Sequence, residues 1–167
     1  MFGEMDKMDI DFWGITKHHS LPFDPFGTIF LGYIPEHIQS YFISIRKPML
    51  VSDEFKNYWQ SMPMINSYEE SIGKHESIFT YTFEEYGYKS DVYVNTEDLK
   101  EYTCYPLMLK PLELVKNRRC PLFKRKTFSN IYSEFLDTTL GEPAVELYEY
   151  ISKNFDYNLD MVWENLL

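Results

Sequence analysis

Residues 65–94, INSYEESIGKHESIFTYTFEEYGYKSDVYV, decide the fold predicted for this chain. Ser67 and Glu70 have the spacing of a capping box, in which both side chains accept hydrogen bonds from backbone N–H groups at the start of a helix. Apolar residues then recur every three or four positions, as on a helix with one buried face: Ile72, Phe79, Phe83 and Tyr86. Gly87 stands where a left-handed residue ends a helix, and β-forming residues follow it. The stretch therefore predicts a helix over 68–86 and a strand near 88–94.

The predicted helix carries the candidate catalytic residues, His75 and Glu76. At about 100° per residue, His75 falls inside the apolar stripe and Glu76 falls at its edge, near Ile72 and Phe83. A carboxylate at the border of a packed face is partly desolvated, which raises its proton affinity and suits it to act as a general base. The structural alternative is that Glu76 extends to water and that His75 is a hydrogen-bonded core histidine. Spacing alone leaves both interpretations open.

Length and composition bound the class of protein. The 167 residues suit one domain, which is predicted to span residues 1–167. Aromatic residues make up 18% of the chain, and tyrosine-rich proteins often present ring faces to sugars, although such rings also fill cores. The 16 basic and 26 acidic residues give a net charge of −10, so no nucleic-acid partner is expected.

Cysteine content and hydropathy indicate the cellular compartment. Cys104 and Cys120 are too few for a disulfide framework and lack metal-site spacing, so free thiols in a reducing cytoplasm are expected. The sequence contains no apolar run close to the roughly 20 residues of a membrane span, and its start lacks the plan of a signal peptide. We expect a cytoplasmic protein, which partners could bring to the inner face of the cell membrane.

Two stretches before the helix predict strands. Residues 11–16, DFWGIT, follow a short helical start, so the chain is expected to begin within an element. Residues 37–46, HIQSYFISIR, are apolar at nearly every position, as in a strand covered on both faces. A short strand is also predicted at 28–34. The strands at 11–16, 37–46 and 88–94 are expected in one sheet, with the 68–86 helix packed on it.

Three further helices are predicted from caps and periodicity. Ser52 is expected to cap a helix that ends at Pro63 and buries Phe55, Trp59 and Met62. Two helices close the chain. The first has Pro143 in its first turn and a buried face formed by Ala144, Leu147, Tyr148, Ile151 and Phe155. Asp156 or Asn158 caps the second, which carries Leu159, Val162, Trp163 and Leu166.

Two patterns were weighed as metal ligands. Asp9 and Asp11 form a D-x-D pattern, which can hold a divalent metal on a nucleotide sugar, but such spacing arises often by chance in an acidic chain. Asp11 also suits the opening of a strand, so we do not assign a metal site there. His18 and His19 could ligate a metal, but no further Cys or His follows at ligand spacing. No metal ligand is therefore predicted.

A basic cluster contrasts with the acidic composition. Five basic residues fall within nine positions: Arg118, Arg119, Lys124, Arg125 and Lys126. Such a cluster is commonly a solvated surface. Its contrast with the net charge also fits an anion site, for which a diphosphate is the obvious ligand. Both interpretations remain open.

Several phrases of the chain resemble the rhamnan synthesis protein F family of bacterial polysaccharide-assembly proteins. The phrases are DFWGIT (11–16), HIQSYFISIRK (37–47), FKNYWQSMPMINSYEESIGKHE (55–76), CPLFKRKTF (120–128) and YISKNFDYNLDMVWENLL (150–167). They span nearly the whole chain in the family's order. The resemblance implies a glycosyltransferase-like α/β protein of rhamnose-containing cell-wall polysaccharide or lipopolysaccharide synthesis. The implied fold is part of an A-type glycosyltransferase sandwich, a mixed sheet with flanking helices and a helical C-terminal tail.

The resemblance also implies roles for particular residues. Glu76 matches, by topology, the acid that deprotonates the acceptor hydroxyl in inverting transferases of this fold, with His75 as an alternative base. Lys124 and Arg125 would face the diphosphate of the donor. The implied partners are a nucleotide sugar and a lipid-linked or polysaccharide acceptor, with peripheral association to membrane-bound assembly proteins.

Family members are longer than this chain, which resembles their C-terminal, acceptor-side portion. The donor-binding half, with its acidic metal motif, would precede residue 1, so the cofactor stays open and the resemblance allows a nucleotide-sugar donor with a divalent metal in the full-length protein. Two functions remain open on this basis. One is catalysis of sugar transfer by the assembled enzyme, and the other is a non-catalytic module that binds an acceptor or docks on a partner.

Overall fold

The computed structural model describes residues 1–128 and 142–163. The chain divides into two compact units, Met1–Cys104 and Tyr105–Leu167. The expectation of one domain over residues 1–167 stays a prediction. The first unit is mixed α/β, with five short strands: β1 (Phe12–Gly14), β2 (Lys17–His18), β3 (His37–Ile38), β4 (Ile43–Ile45) and β5 (Ser90–Val92). Its helical segments are Phe2–Met5, Lys47–Leu50, Asp53–Gln60, Tyr68–Ser71, Ile72–Glu76, Ser77–Glu85 and the 3₁₀ turn Glu97–Leu99.

The main sheet has the order β4-β1-β5. Strand β1 pairs antiparallel with β4, where Phe12 lies opposite Ile45, and parallel with β5, where Phe12 lies opposite Ser90. All three residues of β1 are buried, as expected of a central strand with covered faces. The prediction that the strands near 11–16 and 88–94 share a sheet is confirmed, and the end of the 37–46 stretch joins them.

The single strand predicted over 37–46 is wrong. Its start forms β3, which pairs with β2 in a separate two-stranded sheet, and its end forms β4 in the main sheet. The chain passes closely over β1 at this point, since a Cβ atom at Gly14 would lie 2.1 Å from Ile38 Cγ2. The Gln39 N–H then donates to the Thr16 carbonyl at 3.1 Å. The apolar residues 37–46 therefore contribute strands to two sheets instead of forming one buried strand.

The predicted helix at 68–86 is present as a continuous helical run over 68–85 with an altered middle. Ser67 caps it by accepting the Glu70 N–H at 3.1 Å, and the Glu70 carboxylate accepts the Asn66 N–H at 2.8 Å, one residue earlier than in a standard capping box. Gly87 ends the run at φ +89°. The N–H groups of Gly87 and Tyr88 bond to carbonyls in the last turn, as in a Schellman motif. Tyr86 is exposed, contrary to the predicted stripe.

Ile72–Glu76 form a π-helical turn, which the α-helical periodicity did not predict. The Ser77 N–H bonds to the Ile72 carbonyl five residues earlier. A π turn accommodates one more residue than an α turn, and such turns are frequent at functional sites. It contains both candidate residues, His75 and Glu76. The angular positions predicted at 100° per residue therefore do not apply to this segment.

An aromatic core joins the 68–85 helix to the main sheet. Its fully packed members are Phe12, Ile38, Met49, Phe79, Phe83 and Val92. The Phe79 and Phe83 rings lie 4.7 Å apart, and burial of each such side chain stabilises the fold by about 1.5–3 kcal/mol. The hydroxyl of Thr80 accepts the Ile38 N–H at 2.9 Å, which ties the helix to β3. These contacts fix the helix over the sheet.

The helix Asp53–Gln60 packs against the same core. Ser52 caps it as predicted, since its hydroxyl accepts the Phe55 N–H at 3.2 Å. Phe55 and Tyr58 contact the core, whereas Trp59 is 49% exposed and Met62 lies beyond the helix end. The buried side is therefore formed by Phe55 and Tyr58, and the prediction that Trp59 belongs to it is wrong.

The second unit is helical in its described parts. It contains Pro106–Leu109, Pro111–Asn117, the 3₁₀ turn Arg125–Phe128, Glu142–Asn154 and Asp160–Trp163. Its core is formed by Phe128, Leu147, Ile151 and Val162. The side chain of Asn158 accepts the Asp160 N–H at 3.0 Å, as one of the two predicted caps requires. Phe155, predicted to be buried, is exposed. The side chain of Trp163 and residue Leu166 lie outside the described residues.

The strand predicted at 28–34 does not form. Ile34 makes only an isolated bridge with Leu21, and an Asx-type arrangement around Asp24 organises the loop before it. The protein is thus a mixed α/β chain with a small mixed sheet and flanking helices. The glycosyltransferase-like sandwich implied by the resemblance stays a prediction.

Candidate functional site

A cleft of about 460 Å³ opens in the first unit between the π turn, the 40–45 segment and the helix Asp53–Gln60. Five of its lining side chains are aromatic: Tyr41, Phe42, Tyr58, Trp59 and Phe79. Its polar lining includes Ser40, His75 and Glu76. Ligand sites combine apolar walls with a few polar groups at about this volume. Both residues predicted to be catalytic therefore lie in one cleft.

Glu76 is held at the polar side of this cleft. Its side chain is 27% exposed, and the Ser40 hydroxyl donates to Oε2. Its other oxygen, Oε1, lies 4.0 Å from Nε2 of His37, a residue that is 2% exposed. The structural alternative supposed that this carboxylate extends freely to water. In the structure it instead contacts Ser40 and lies near His37. A partly shielded carboxylate beside a hydroxyl donor and an imidazole can accept a proton from a ligand in the cleft.

The orientation of His37 is fixed by the backbone. Its Nδ1 lies 2.8 Å from the Pro35 carbonyl oxygen, which can only accept a hydrogen bond. Nδ1 therefore carries a proton, and Nε2 is the ring atom directed toward Glu76. The His37 ring also stacks on His18 with centroids 5.2 Å apart. His37 is thus held beside the Glu76 carboxylate.

His75 and Tyr58 line the cleft, and each carries an unsatisfied buried polar atom. His75 Nε2 and the Tyr58 hydroxyl are buried, and neither has a hydrogen-bond partner among the residues that the structure describes. Burial raises the pKa of Tyr58 to about 12, so its hydroxyl keeps its proton at neutral pH. The alternative for His75, a hydrogen-bonded core histidine, requires a partner at Nε2, and this atom has none among the described residues. Unpaired buried polar atoms are rare in native proteins.

A separate cluster has the spacing of metal ligands. One ligand atom from each of His19, Glu36 and Glu97 lies within 4.8 Å of the others. Both acids are already paired, Glu36 with Lys17 at 3.0 Å and Glu97 with Lys100. His19 Nδ1 lies 3.1 Å from Glu36, and its Nε2 lies 2.9 Å from the Thr96 carbonyl. The cluster is thus a satisfied ion-pair network.

Burial and hydrogen bonding oppose each other at Glu36. Burial alone would raise the pKa of this carboxyl, but hydrogen bonds from His19 and Lys17 hold its pKa below the usual value. The network therefore stabilises the ionised acid.

Asp9 and Asp11 both contact Lys89. The Lys89 ammonium pairs with Asp9, and the Lys89 N–H donates to Asp11 at 2.8 Å. The Lys89 ammonium lowers the pKa of Asp9. Both carboxylates therefore contact the residue that precedes β5, and the choice against a metal site stays a prediction.

The predicted donor-binding residues lie in the second unit. Lys124 donates to the Tyr105 hydroxyl, and its ammonium lies 5.0 Å from the centre of that ring. Arg125 is exposed at the start of a 3₁₀ turn. A cleft of about 540 Å³ in this unit is lined by Arg119, together with Phe123, Phe155 and Tyr157. Lys124 and Arg125 are not among its lining residues, and their contact with a diphosphate stays a prediction.

Sequence reasoning missed Ser40, His37 and Tyr58 as site residues. Ser40 and His37 were hidden in the supposed continuous strand, where no signal marked a break. Tyr58 could have been found, since it lies three residues after Phe55 and thus on the same helix face. The periodicity instead predicts burial of its neighbour Trp59.

The fold and the cleft define a mixed α/β protein with an aromatic-walled site that carries one carboxylate. The chain belongs to the rhamnan synthesis protein F family, whose family model matches residues 1–167. This membership links it to rhamnan polysaccharide synthesis. Neither a curated protein nor a solved structure matches the chain. Within the described residues, no helix has the length and apolar character needed to cross a membrane.

Proposed function

We propose that the chain forms the acceptor-side part of a glycosyltransferase that moves a sugar from a nucleotide-sugar donor to a growing rhamnose-containing glycan. The observation that carries this proposal is the position of Glu76, whose partly exposed carboxylate lies in an aromatic-walled cleft beside Ser40 and His37. Membership of the rhamnan synthesis family supplies the class of product. An A-type glycosyltransferase sandwich would be completed by the donor-binding half.

In the proposed reaction Glu76 is the base and the nucleoside diphosphate is the leaving group. Glu76 takes the proton of an acceptor hydroxyl, and the oxygen attacks the anomeric carbon of the donor. The bond from that carbon to the diphosphate oxygen breaks, and the nucleoside diphosphate leaves with the electron pair. Such a positioned base contributes about 10²–10⁴-fold to the rate.

His75 is the alternative base. It lines the same cleft, and a neutral imidazole can take a proton from a hydroxyl. Lys124 and Arg125 are proposed to stabilise the charge that develops on the departing diphosphate. The partners in this scheme are a nucleotide sugar and a lipid-linked or polysaccharide acceptor. Peripheral association with membrane-bound assembly proteins would bring the enzyme to its acceptor.

The second candidate function is a non-catalytic acceptor-binding or docking module. One observation supports it: five aromatic side chains line the cleft, and such a wall can bind a ligand without any catalytic group. Such a module would use the cleft to bind a glycan without transferring a sugar. Substitution of the proposed base separates the two functions.

The test is the variant Glu76→Gln in the enzyme complete with its donor-binding half. We expect transfer from a nucleotide-activated rhamnose to fall by about 100-fold or more, because the amide can still bond to Ser40 but cannot take the proton. Glu85→Gln, on the exposed side of the same helix, is the matched control. Transfer at the rate of Glu85→Gln would exclude Glu76 as the base. A loss in His75→Asn alone would assign that role to His75.

A further inference from the structure

Three side chains that can ligate a metal converge in the first unit, at a place separate from the Glu76 cleft. His19 follows β2, Glu36 precedes β3, and Glu97 opens the 3₁₀ turn after β5. One ligand atom from each lies within 4.8 Å of the others, and none of the three residues lines the Glu76 cleft. They belong to the ion-pair network described above. Because they are far apart in the sequence, no ligand spacing could reveal them.

The His19 ring is oriented as in a metal-binding histidine. Its side chain is 5% exposed, and its Nε2 lies 2.9 Å from the Thr96 carbonyl oxygen, which can only accept a hydrogen bond. Nε2 therefore carries a proton, which it can share with the Thr96 hydroxyl oxygen at 3.1 Å. Metal-ligating histidines almost always donate their other ring N–H to a carboxylate, a backbone carbonyl or water. Nδ1 is thus the ring atom left to bind a cation.

A cation is required between His19 Nδ1 and the Glu36 carboxylate. Nδ1 lies 3.1 Å from Glu36 Oε2, and both atoms are acceptors unless a proton or a metal ion joins them. A proton there makes His19 a buried cation, because Nε2 is also protonated, whereas a metal ion satisfies both atoms and leaves the ring neutral. Around a tetrahedral Zn²⁺ ion, nitrogen and oxygen ligands stand about 3.3–3.5 Å apart. The observed separation is close to this value.

Both acids can reach a metal ion without a large rearrangement. The side chains of Glu36 and Glu97 are 37% and 55% exposed, which gives the ion a path from solvent. Lys17 bonds to Oε1 of Glu36, whereas His19 faces Oε2, so this lysine does not occupy the ligand atom. The pair between Glu97 and Lys100 is exposed on both sides, and such pairs contribute little to stability. A divalent ion can therefore displace Lys100.

We propose that His19 Nδ1, Glu36 and Glu97 bind a divalent transition-metal ion, with Zn²⁺ as the ion to test. One imidazole with two carboxylates suits zinc and its first-row neighbours, whereas Mg²⁺ and Ca²⁺ prefer oxygen ligands alone. The ion joins the two-stranded sheet to the turn after β5, so its binding stabilises the folded chain. The proposal does not depend on sugar transfer, and the outcome of the Glu76→Gln test leaves it unchanged.

The test is a calorimetric titration of Zn²⁺ into the 167-residue protein after treatment with a chelator. We expect saturable binding of one ion per chain. Glu97→Gln replaces a charged ligand at an exposed side chain and should weaken binding by at least about 100-fold, because loss even of an outer partner costs about 10–100-fold. Glu101→Gln, the same change at a nearby exposed residue outside the cluster, is the matched control and should bind like the parent.

His19→Gln tests the imidazole ligand. Its amide can still bond to Thr96 but places no nitrogen ligand beside Glu36, so Zn²⁺ affinity should again fall by at least about 100-fold. The thermal midpoint gives a second measurement. Zn²⁺ should raise it in the parent and in Glu101→Gln, but not in Glu97→Gln.

Three results would overturn the proposal. They are the absence of saturable Zn²⁺ binding by the parent, equal affinity in Glu97→Gln and Glu101→Gln, and parental affinity in His19→Gln. If His19→Gln does not fold, the comparison of the two glutamate variants still decides, because both changes are made at exposed side chains. Zinc bound at the cysteine thiols would leave these two variants equal and would therefore count against the site.

Discussion

The substitution Gly73→Ala tests the packing that holds the π turn in place. Gly73 is buried in this turn and faces Thr28 of the preceding loop. A Cβ atom at Gly73 would lie 1.9 Å from Thr28 Oγ1, 2.9 Å from its Cβ and 3.1 Å from its carbonyl carbon. The hydroxyl could rotate away, but the other two atoms could move only with the backbone. We therefore expect the variant to displace the loop or the turn.

The expected free-energy change is the difference between two effects. Alanine in place of glycine favours a helical conformation by about 1 kcal/mol. Insertion of a methyl group into a packed contact costs about 1–3 kcal/mol, and two rigid contacts put this site in the upper part of that range. The free energy of unfolding should therefore fall by about 1–2 kcal/mol. The thermal midpoint should fall by roughly 2–8 °C for a chain of this size.

Urea unfolding followed by circular dichroism measures this change. Gly3→Ala is the matched control, because that helical glycine has no atom within 4 Å of an added Cβ, and it should be neutral or stabilising. Removing the hydroxyl with Thr28→Ala should restore part of the stability in the Gly73→Ala background, as a double-mutant cycle would show. If Gly73→Ala is as stable as Gly3→Ala, the close packing on Thr28 does not limit this position.

Two further predictions concern charged groups. Because the pKa of Glu36 is lower folded than its unfolded value near 4.5, Glu36 contributes stability above that pH and loses it as pH falls through the folded pKa. The difference in unfolding free energy between the parent and Glu36→Gln should therefore narrow in urea titrations from pH 6 to pH 3, and a constant difference would contradict the role of the network. Reversing the charges of Lys124 and Arg125 together should weaken nucleotide binding in the complete enzyme, measured by calorimetry, and the effect should grow as salt is lowered. Unchanged binding would instead support the interpretation of Lys124 and Arg125 as part of a solvated surface.

Local signals predicted the ends of the helices well. Ser52 and Ser67 accept the predicted backbone N–H groups, and Gly87 has the predicted positive φ. A cap depends on residues within about one turn of one another, so the sequence contains all the information needed. The prediction of one strand over residues 37–46 is wrong for the opposite reason. Its apolar pattern records burial, but the choice between two sheets depends on distant partners such as Thr16.

The candidate site shows the same division. The sequence placed His75 inside the apolar stripe of a helix and Glu76 at the edge of that stripe, and the structure brings both into one cleft. The π turn that contains both residues was not predicted, because α-helical periodicity gives no sign of such a turn. Whether Glu76 acts as the base stays a prediction.

The sequence by itself determined the run of helix from Ser67 to Gly87, the central strand after Asp11 and the family to which the chain belongs. These features follow from short-range periodicity, from capping residues and from sequence segments that resemble the family and occur in its order. Only the tertiary structure decided the composition of the cleft. Ser40 reaches Glu76 across 36 residues of chain, and Tyr58 approaches from a third element. Such convergence arises from how the elements pack, which no local pattern encodes.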